Sequence, residues 1–310
     1  MQGTCYGYQV ESAFRFRYLR SGEGEMLRVV ACRQGEPGPQ DRLLREWTPR
    51  APHHLEAQLY HNGRTFRLRV GDAEWFEVDP VARIIAVPDP DDPLRREQHL
   101  WGIPAALCFL DRGDLALHAA AVEVDRSAVL LAAPGGFGKS TLAAAFLQAG
   151  HRLLSEDLSC VRPAADPSVV PGPAMLRLRR DTVENLRLAP GEPVRETNDR
   201  ITYALPPELR GDCTPLSLRG IVFLHPSPGE VRLERMPSAQ VVSHLWILSL
   251  HIPTETHKTR VFAGVAQLAS QVPVWNLYRP MRLQELPRVV ERISLTCLGR
   301  GEAGQAASPL

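Results

Sequence analysis

An α/β fold, with a phosphate-binding core behind a small β-rich N-terminal domain, is what this sequence predicts, and three observations predict it. The stretch LLAAPGGFGKSTLAAAFLQAGHRLLSED, residues 130–157, runs from apolar strand through Gly-rich turn and Lys-Ser-Thr to an alanine-rich helix and a second apolar strand. That order is the signature of an α/β nucleotide-binding unit. Upstream, HNGRTFRLRV and AEWFEVDPVARIIAVP alternate as strands do, the first behind an Asn-Gly turn. The 27 prolines gather in connections such as VPDPDDP and RPAADPSVVPGP, which mark segment boundaries.

Taken in order, residues 1–90 form the β-rich domain, with Phe66, Leu68 and Val70 on one face of a strand. Residues 91–114 are a Pro-rich linker entering a helix, where Leu100, Ile103, Leu107 and Leu110 recur at helical spacing and Pro104 is the expected point of interruption. Residues 115–300 form the core domain. LALHAAAVEV and SAVLLAAP read as strands, Ser140 to Ala149 as a helix and HRLLSED as the next strand, a parallel neighbour ending beside the Gly-rich turn. Further on, LRGIVFLHP and VPVWNLYRP are strand-like, FAGVAQLASQ and LQELPRVVERIS helical. The small, polar residues 301–310 read as a flexible tail.

Composition narrows the function classes. Lys plus Arg (36) and Asp plus Glu (35) nearly cancel, so no global field draws the chain to nucleic acid or to an acidic membrane surface. No apolar run approaches the ~20 residues a membrane helix needs, and MQGTCYGYQVESAF lacks the apolar core of a signal peptide. The expectation is a cytoplasmic protein with no nucleic-acid or membrane partner; a homo-oligomer stays open. The six cysteines stand singly, without C-x-x-C or a zinc-like His cluster, and read as buried thiols.

The chemistry concentrates in Ala133, Pro134, Gly135, Gly136, Phe137, Gly138, Lys139, Ser140 and Thr141, which match the P-loop pattern with Ala in place of the first Gly. The glycines let backbone N–H groups turn inward as a nest for phosphate oxygens, and the following helix adds the positive end of its dipole. Lys139 reaches the outer phosphates and the Ser140 hydroxyl suits Mg²⁺. Glu156 and Asp157 close the next strand, where one carboxylate can serve the metal shell while the other takes a proton from an incoming hydroxyl. His118, in the strand before the turn, reads first as a satisfied core residue and second as a site residue. Two basic clusters are candidates for phosphoryl charge: Arg177, Arg179 and Arg180, with Arg200 nearby, and His257, Lys258 and Arg260.

Taken together, LHAAAVEVDRSAVLLAAPGGFGKSTLAAAFLQAGHRLLSED resembles the catalytic domain of bacterial HPr kinase/phosphorylase, whose layout HxSAVEI…GxSGxGKS…RGHRLxxDD falls on residues 117–157 without a gap. The resemblance implies an HPr-kinase/PEP-carboxykinase-like P-loop core, ATP and Mg²⁺ as donor and cofactor, and a serine acceptor. It makes His118 a site residue near the acidic pair, sets Glu156 where the family acts on the acceptor hydroxyl, and assigns Asp157 with Ser140 to Mg²⁺. The family's downstream acidic-Arg-Gly-x-Gly strand is absent, which argues against HPr as substrate and against phosphorolysis. The whole chain is more similar to HPr-kinase-like proteins encoded with peptide-modification enzymes, including lasso peptide tailoring kinases, through PGPAMLRL, Asp199-Arg200 and VPVWNLYRPMRLQELPRVVERI. That likeness implies phosphorylation of a serine on a ribosomal precursor peptide and favours Arg200 as the site arginine. The alternative is a nucleotide-binding adaptor that holds a peptide or partner enzyme without turnover. An ABC or GTPase motor is disfavoured, since neither an LSGGQ-like nor an NKxD-like segment occurs.

Overall fold

A computed structural model describes residues 3–32, 37–48, 56–71, 74–88, 92–186 and 189–298. The expected flexible tail and the start of the Pro-rich linker lie outside these. The first eight strands are Thr4–Cys5 (β1), Tyr8–Ser12 (β2), Glu25–Ala31 (β3), Arg42–Trp47 (β4), Ala57–His61 (β5), Phe66–Val70 (β6), Glu74–Asp79 (β7) and Ile84–Val87 (β8). They make one sheet in the order β1-β2-β3-β8-β7-β6-β5-β4. The Asn62-Gly63 turn joins β5 to β6: Gly63 takes φ 93°, and the Asn62 side chain accepts from the N–H groups of Arg64 and Thr65. Phe66, Leu68 and Val70 are buried, with Arg67 and Arg69 on the opposite face.

Two helices follow where the periodicity suggested one. Pro93–Leu100 (α1) starts at Asp92, whose carboxylate accepts from the N–H groups of Leu94 and Arg95. Ile103–Asp111 (α2) begins after Gly102. The break falls at Trp101-Gly102, and Pro104 sits in the first turn of α2, where its missing N–H costs no helical bond.

The core then runs Leu115–Leu117 (β9), Ala119–Val124 (β10), Ser127–Ala132 (β11), Lys139–Gln148 (α3), Arg152–Ser155 (β12), Ser159–Arg162 (β13) and Ser168–Val170 (β14). Met175–Arg179 (β15), Arg180–Leu186 (α4), Glu192–Glu196 (β16) and Arg200–Ala204 (β17) form a separate three-stranded sheet with its helix. Last come Leu216–Pro226 (β18), Arg232–Arg235 (β19), Ser238–Leu248 (α5), Glu255–Gln271 (α6), Val274–Arg279 (β20) and Leu286–Cys297 (α7).

Strand β11 lies between β10, antiparallel, and β18, parallel, and β20 continues the parallel set beyond β18. The strand HRLLS, β12, pairs with β10 rather than with β11. The reason is the tight turn Asp125-Arg126, both at positive φ (47° and 62°), which folds β10 back against β11. Two antiparallel steps restore the direction, so β12 still delivers Glu156 and Asp157 to the edge where β11 ends. The run LALHAAAVEV also divides: β9 pairs with β13, β10 with β11, and His118 sits at the break.

Successive residues of the central strands enter opposite cores. Ala128, Leu130 and Ala132 face a layer containing the N-terminal sheet and α2, while Val129, Leu131 and Ala133 face α3, α7 and the inner face of β15 and β17. Burial on both faces explains why these strands read as unbroken apolar runs. The N-terminal sheet shares the first of these cores and is clamped by Arg20. Its buried guanidinium donates to the carbonyls of Gly172, Gly211, Leu153 and Leu154. Burial lowers its pKa to about 10, and four carbonyl acceptors take the place of a counter-ion. Among the described residues no helix is long and apolar enough to cross a membrane.

Candidate active site

Strand β11 ends at Ala132, and the chain turns through residues 133–138 into α3. Gly136 and Gly138 take φ 87° and 83°, conformations that only glycine adopts without strain. Gly138 is the N-cap of α3, so the free N–H groups of the first turn face the loop. A Cβ at Gly135 or Gly136 would meet nothing within 4 Å, so the space over the loop is open. That space belongs to a cavity of about 910 Å³, bounded by the P-loop, the acidic pair and the three-stranded sheet.

Lys139 is buried, and burial lowers its pKa against the opposing pull of Asp157 and Glu156. Its ammonium donates to the Ala133 carbonyl at 2.6 Å and contacts His118 Nε2 at 3.0 Å. A protonated Lys139 has only donors, so His118 Nε2 is the acceptor and the ring proton lies on Nδ1. Nδ1 faces Asp157 Oδ1 at 3.5 Å. The kink between β9 and β10, anchored by the His118 N–H on the Leu248 carbonyl, turns the imidazole out of the apolar strand and into the cavity.

The two carboxylates stand in different surroundings. Glu156 is 4% exposed; one oxygen accepts from the Ser140 hydroxyl at 2.6 Å and the other from Arg177 Nε at 3.0 Å. The Asp157 side chain is 48% exposed, toward the cavity, with Arg177 at 3.3 Å. Burial raises the Asp157 carboxyl, but His118, Arg177, Lys139 and Arg200 outweigh it and hold the pKa below its ordinary value. Arg177 is correspondingly raised, chiefly by Glu156. Glu156, expected to act on the acceptor hydroxyl, is the carboxylate that Ser140 contacts, while Asp157, expected beside Ser140 at Mg²⁺, opens toward the cavity. Ser140 partners Glu156 rather than Asp157, because the longer Glu side chain reaches back to the start of α3. Asp157 faces the cavity beside His118, with Oδ1 toward His118 at 3.5 Å and the other oxygen toward Arg177 at 3.3 Å.

A divalent cation fits this arrangement. Mg²⁺ is bound through one or two carboxylates together with substrate phosphates, not by an all-protein cage. Ser140 and Glu156 offer adjacent oxygens, with Asp157 next to them. Among the described residues no cluster of three or more His, Cys, Asp or Glu could hold a metal alone, so an ion here would draw its remaining ligands from phosphate and water.

The other predicted residues divide. Pro134, Gly135, Gly136, Gly138, Ser140 and Thr141 line the cavity with Lys139. Ala133 contributes its carbonyl, and the Phe137 ring packs on the core that contains α3. Arg200 lines the cavity in register with Arg179 across β15 and β17; Arg177, two residues along β15, and Arg195 from β16 also reach it. Arg177 and Arg195 are held by carboxylates, Arg195 by Asp92 at 2.8 Å. Arg179 has no ion pair among the described residues, and Arg200 has only Asp199 at 3.7 Å. Arg180 turns away to Glu196 and the Thr197 carbonyl. The cluster His257, Lys258 and Arg260 belongs to α6 and does not line the cavity.

Arg279 is the residue that sequence reasoning missed. It ends β20 at 2% exposure, lines the cavity, and donates to the Phe137 carbonyl at 3.4 Å. A Cβ on Gly138 would lie 2.5 Å from its guanidinium. Its Nε is buried without a partner, no carboxylate pairs with it among the described residues, and burial lowers its pKa. An uncompensated buried cation is costly; against a P-loop, an arriving phosphate removes the cost. The one signal in the sequence was a cation at the end of the apolar strand VPVWNLYRP.

No protein-family model matches this sequence, and no curated protein matches it. Among solved structures, the HPr(Ser) kinase/phosphatase from Coxiella burnetii aligns with 61% of this chain and 99% of its own, at 13% identity and a TM-score of 0.33.

Proposed function

We propose that this protein is a Mg²⁺- and ATP-dependent kinase that phosphorylates a serine hydroxyl of a peptide or small protein, with a ribosomal precursor peptide of the lasso type as the substrate. The observation that carries this reading is one connected set of contacts. Lys139 meets His118, His118 faces Asp157, Asp157 and Glu156 share Arg177, and Glu156 holds Ser140. The set joins the phosphate-binding turn to a half-open carboxylate inside one cavity.

The geometry supports the following roles. The N–H groups of the turn and the Lys139 ammonium bind the donor phosphates, and Arg279 adds charge over the same loop. Asp157 takes the proton of the serine hydroxyl as its oxygen bonds to the γ-phosphorus and the bond to the leaving diphosphate breaks. His118 orients Asp157 through Nδ1, while Glu156 and Arg177 fix Ser140 and the open carboxylate relative to one another. Mg²⁺, when bound, would neutralise charge on the phosphate oxygens. Positioning and electrostatics supply most of the rate, since phosphoryl transfer asks little covalent chemistry of the protein.

The test is mass spectrometry after incubation with Mg²⁺-ATP and a pooled set of peptides carrying terminal or internal serines. A phosphate mass gained by particular peptides, and lost by at least about 10²-fold in Lys139→Ala, is the expected outcome. ATP binding that survives Glu156→Gln, with no peptide modified by either protein, would favour the adaptor reading.

A further inference from the structure

The cavity does not end at the acidic pair. A second pocket, of about 220 Å³, opens beside Glu156 and Asp157. Gln98, His99, Glu156, Asp157 and Arg177 line both spaces, whereas no residue of the P-loop lines the second. The rest of its wall is mainly apolar, with Leu68, Val70, Trp101, Ile103, Pro173 and Met175 as the chief contributors. It is assembled from the N-terminal sheet, the junction of α1 with α2, and the entry to β15.

We propose that this pocket receives an apolar side chain of the acceptor, flanking the hydroxyl presented to Asp157. The inference rests on the kinase reading and adds a substrate class to it: a serine beside a Leu, Met or Phe-like residue. Three arguments support it. In phosphoryl transfer the attacking and leaving oxygens lie roughly in line, so donor and acceptor approach from opposite sides. The P-loop residues line the first cavity only, and the acidic pair lines both, so a donor on the P-loop would leave the second pocket to the acceptor. The donor's base belongs beyond its inner phosphates, at the end of the triphosphate remote from Asp157, so it is not the occupant.

Size agrees. A dry apolar cavity of about 150 Å³ takes a benzene ring, so about 220 Å³ suits one large side chain. Polarity agrees as well. The ionisable groups on the wall are already engaged: His99 with Glu74 at 2.6 Å, Glu156 with Ser140 and Arg177, and Asp157 with Arg177 at 3.3 Å and His118 at 3.5 Å. Gln98 donates to Thr202. An apolar guest leaves none of them unpaired, whereas a charged guest would lose its hydration for little in return.

The experiment has two arms. In the first, kcat/KM is measured for serine peptides whose flanking residue is Leu, Met, Phe, Ala or Asp. The large apolar residues are expected to exceed Ala by about 10-fold or more, mostly through KM, and Ala57→Leu, at a β5 residue that also lines the pocket and would fill it, is expected to collapse that ratio. Ile103→Ala, which widens it, shifts the preference from Leu toward Phe, so the result stands even if Ala57→Leu fails to fold. Equal rates for all flanking residues, or an unchanged ratio in a folded, nucleotide-binding Ala57→Leu protein, overturn the proposal. In the second arm, peptides carrying photo-leucine beside the serine are cross-linked to the intact protein. Adducts on β6 or at Met175 support the pocket; adducts confined elsewhere, or none, overturn it. Cross-linking needs no phosphate transfer, so an inactive kinase and an empty pocket give different results.

Discussion

The two walls of the cavity offer positive charge by different means. The P-loop wall is one unbroken stretch, residues 133–141, that works through backbone N–H groups, a helix end and a single lysine. The opposite wall is paved by the side chains of Arg177, Arg179, Arg195 and Arg200, brought from three strands that meet only in the folded sheet. On the proposed reading, the backbone wall presents a fixed shape suited to a triphosphate whatever the acceptor. The arginine wall can be altered one residue at a time, which suits it to the partner that differs between substrates. Donor binding and acceptor choice are therefore expected to separate under mutation.

The sharpest way to break this comparison lies between the walls, at the acidic pair. Asp157→Asn is expected to lower kcat by about 10²–10⁴-fold with nucleotide affinity nearly intact, because the proton acceptor is lost while the P-loop is untouched. Glu156→Gln should weaken the Mg²⁺-dependence of nucleotide binding instead, measured by titrating the metal at fixed ATP. The pH profile sharpens the assignment. The Asp157 pKa is held below its ordinary value of 3.8, so the carboxylate stays ionised as pH falls. Its contribution to stability is present above the unfolded value and is lost only as pH drops through the folded one. A kcat profile that is flat on the acid side from pH 7 to about 5 is expected; a limb in the usual histidine range would transfer the role of base to His118.

The next effect concerns Arg279, where the two readouts should move in opposite directions. Replacing a buried cation that lacks a partner, as in Arg279→Met, is expected to raise or preserve the melting temperature without nucleotide, yet to weaken ATP binding by about 10²-fold. Calorimetry with and without Mg²⁺-ATP reads both. A fall in stability of the free protein would mean that the guanidinium serves packing rather than phosphate.

The smallest effect lies on the arginine wall. Arg179→Ala and Arg200→Ala each remove one partly solvated cation, and a rise in acceptor KM of about 3–10-fold at unchanged KM for ATP is expected. Equal changes for both substrates would erase the distinction between the walls.

The walls were also unequally legible in the sequence. The Gly-rich turn is local: its glycines, lysine and hydroxyl are contiguous, so their spacing can be matched to the P-loop pattern directly. His118 and the acidic pair could be named, but their pairing could not. Which carboxylate meets Ser140 depends on the reach of Glu against Asp and on β12 arriving by way of β10, and neither is written in residue order. Arg279 stayed hidden for the same reason: it is adjacent to Gly138 only because β20 joins the sheet beside β18. Strand patterns were readable in Phe66, Leu68 and Val70, where one face is exposed. In the doubly buried central strands alternation carries no signal, so the split of LALHAAAVEV at His118 went unread.

The Arg20 clamp has a consequence for how this molecule can be divided. Two of the four carbonyls it gathers belong to Leu153 and Leu154, immediately ahead of the acidic pair. Cutting the chain in the proline-rich connection would leave those carbonyls without their donor and remove Leu68 and Val70 from beside Asp157. What reads as a separate front domain in one dimension contributes, in three, to the walls around the candidate site. A transplant of the catalytic half alone would carry the motif and lose the chemistry.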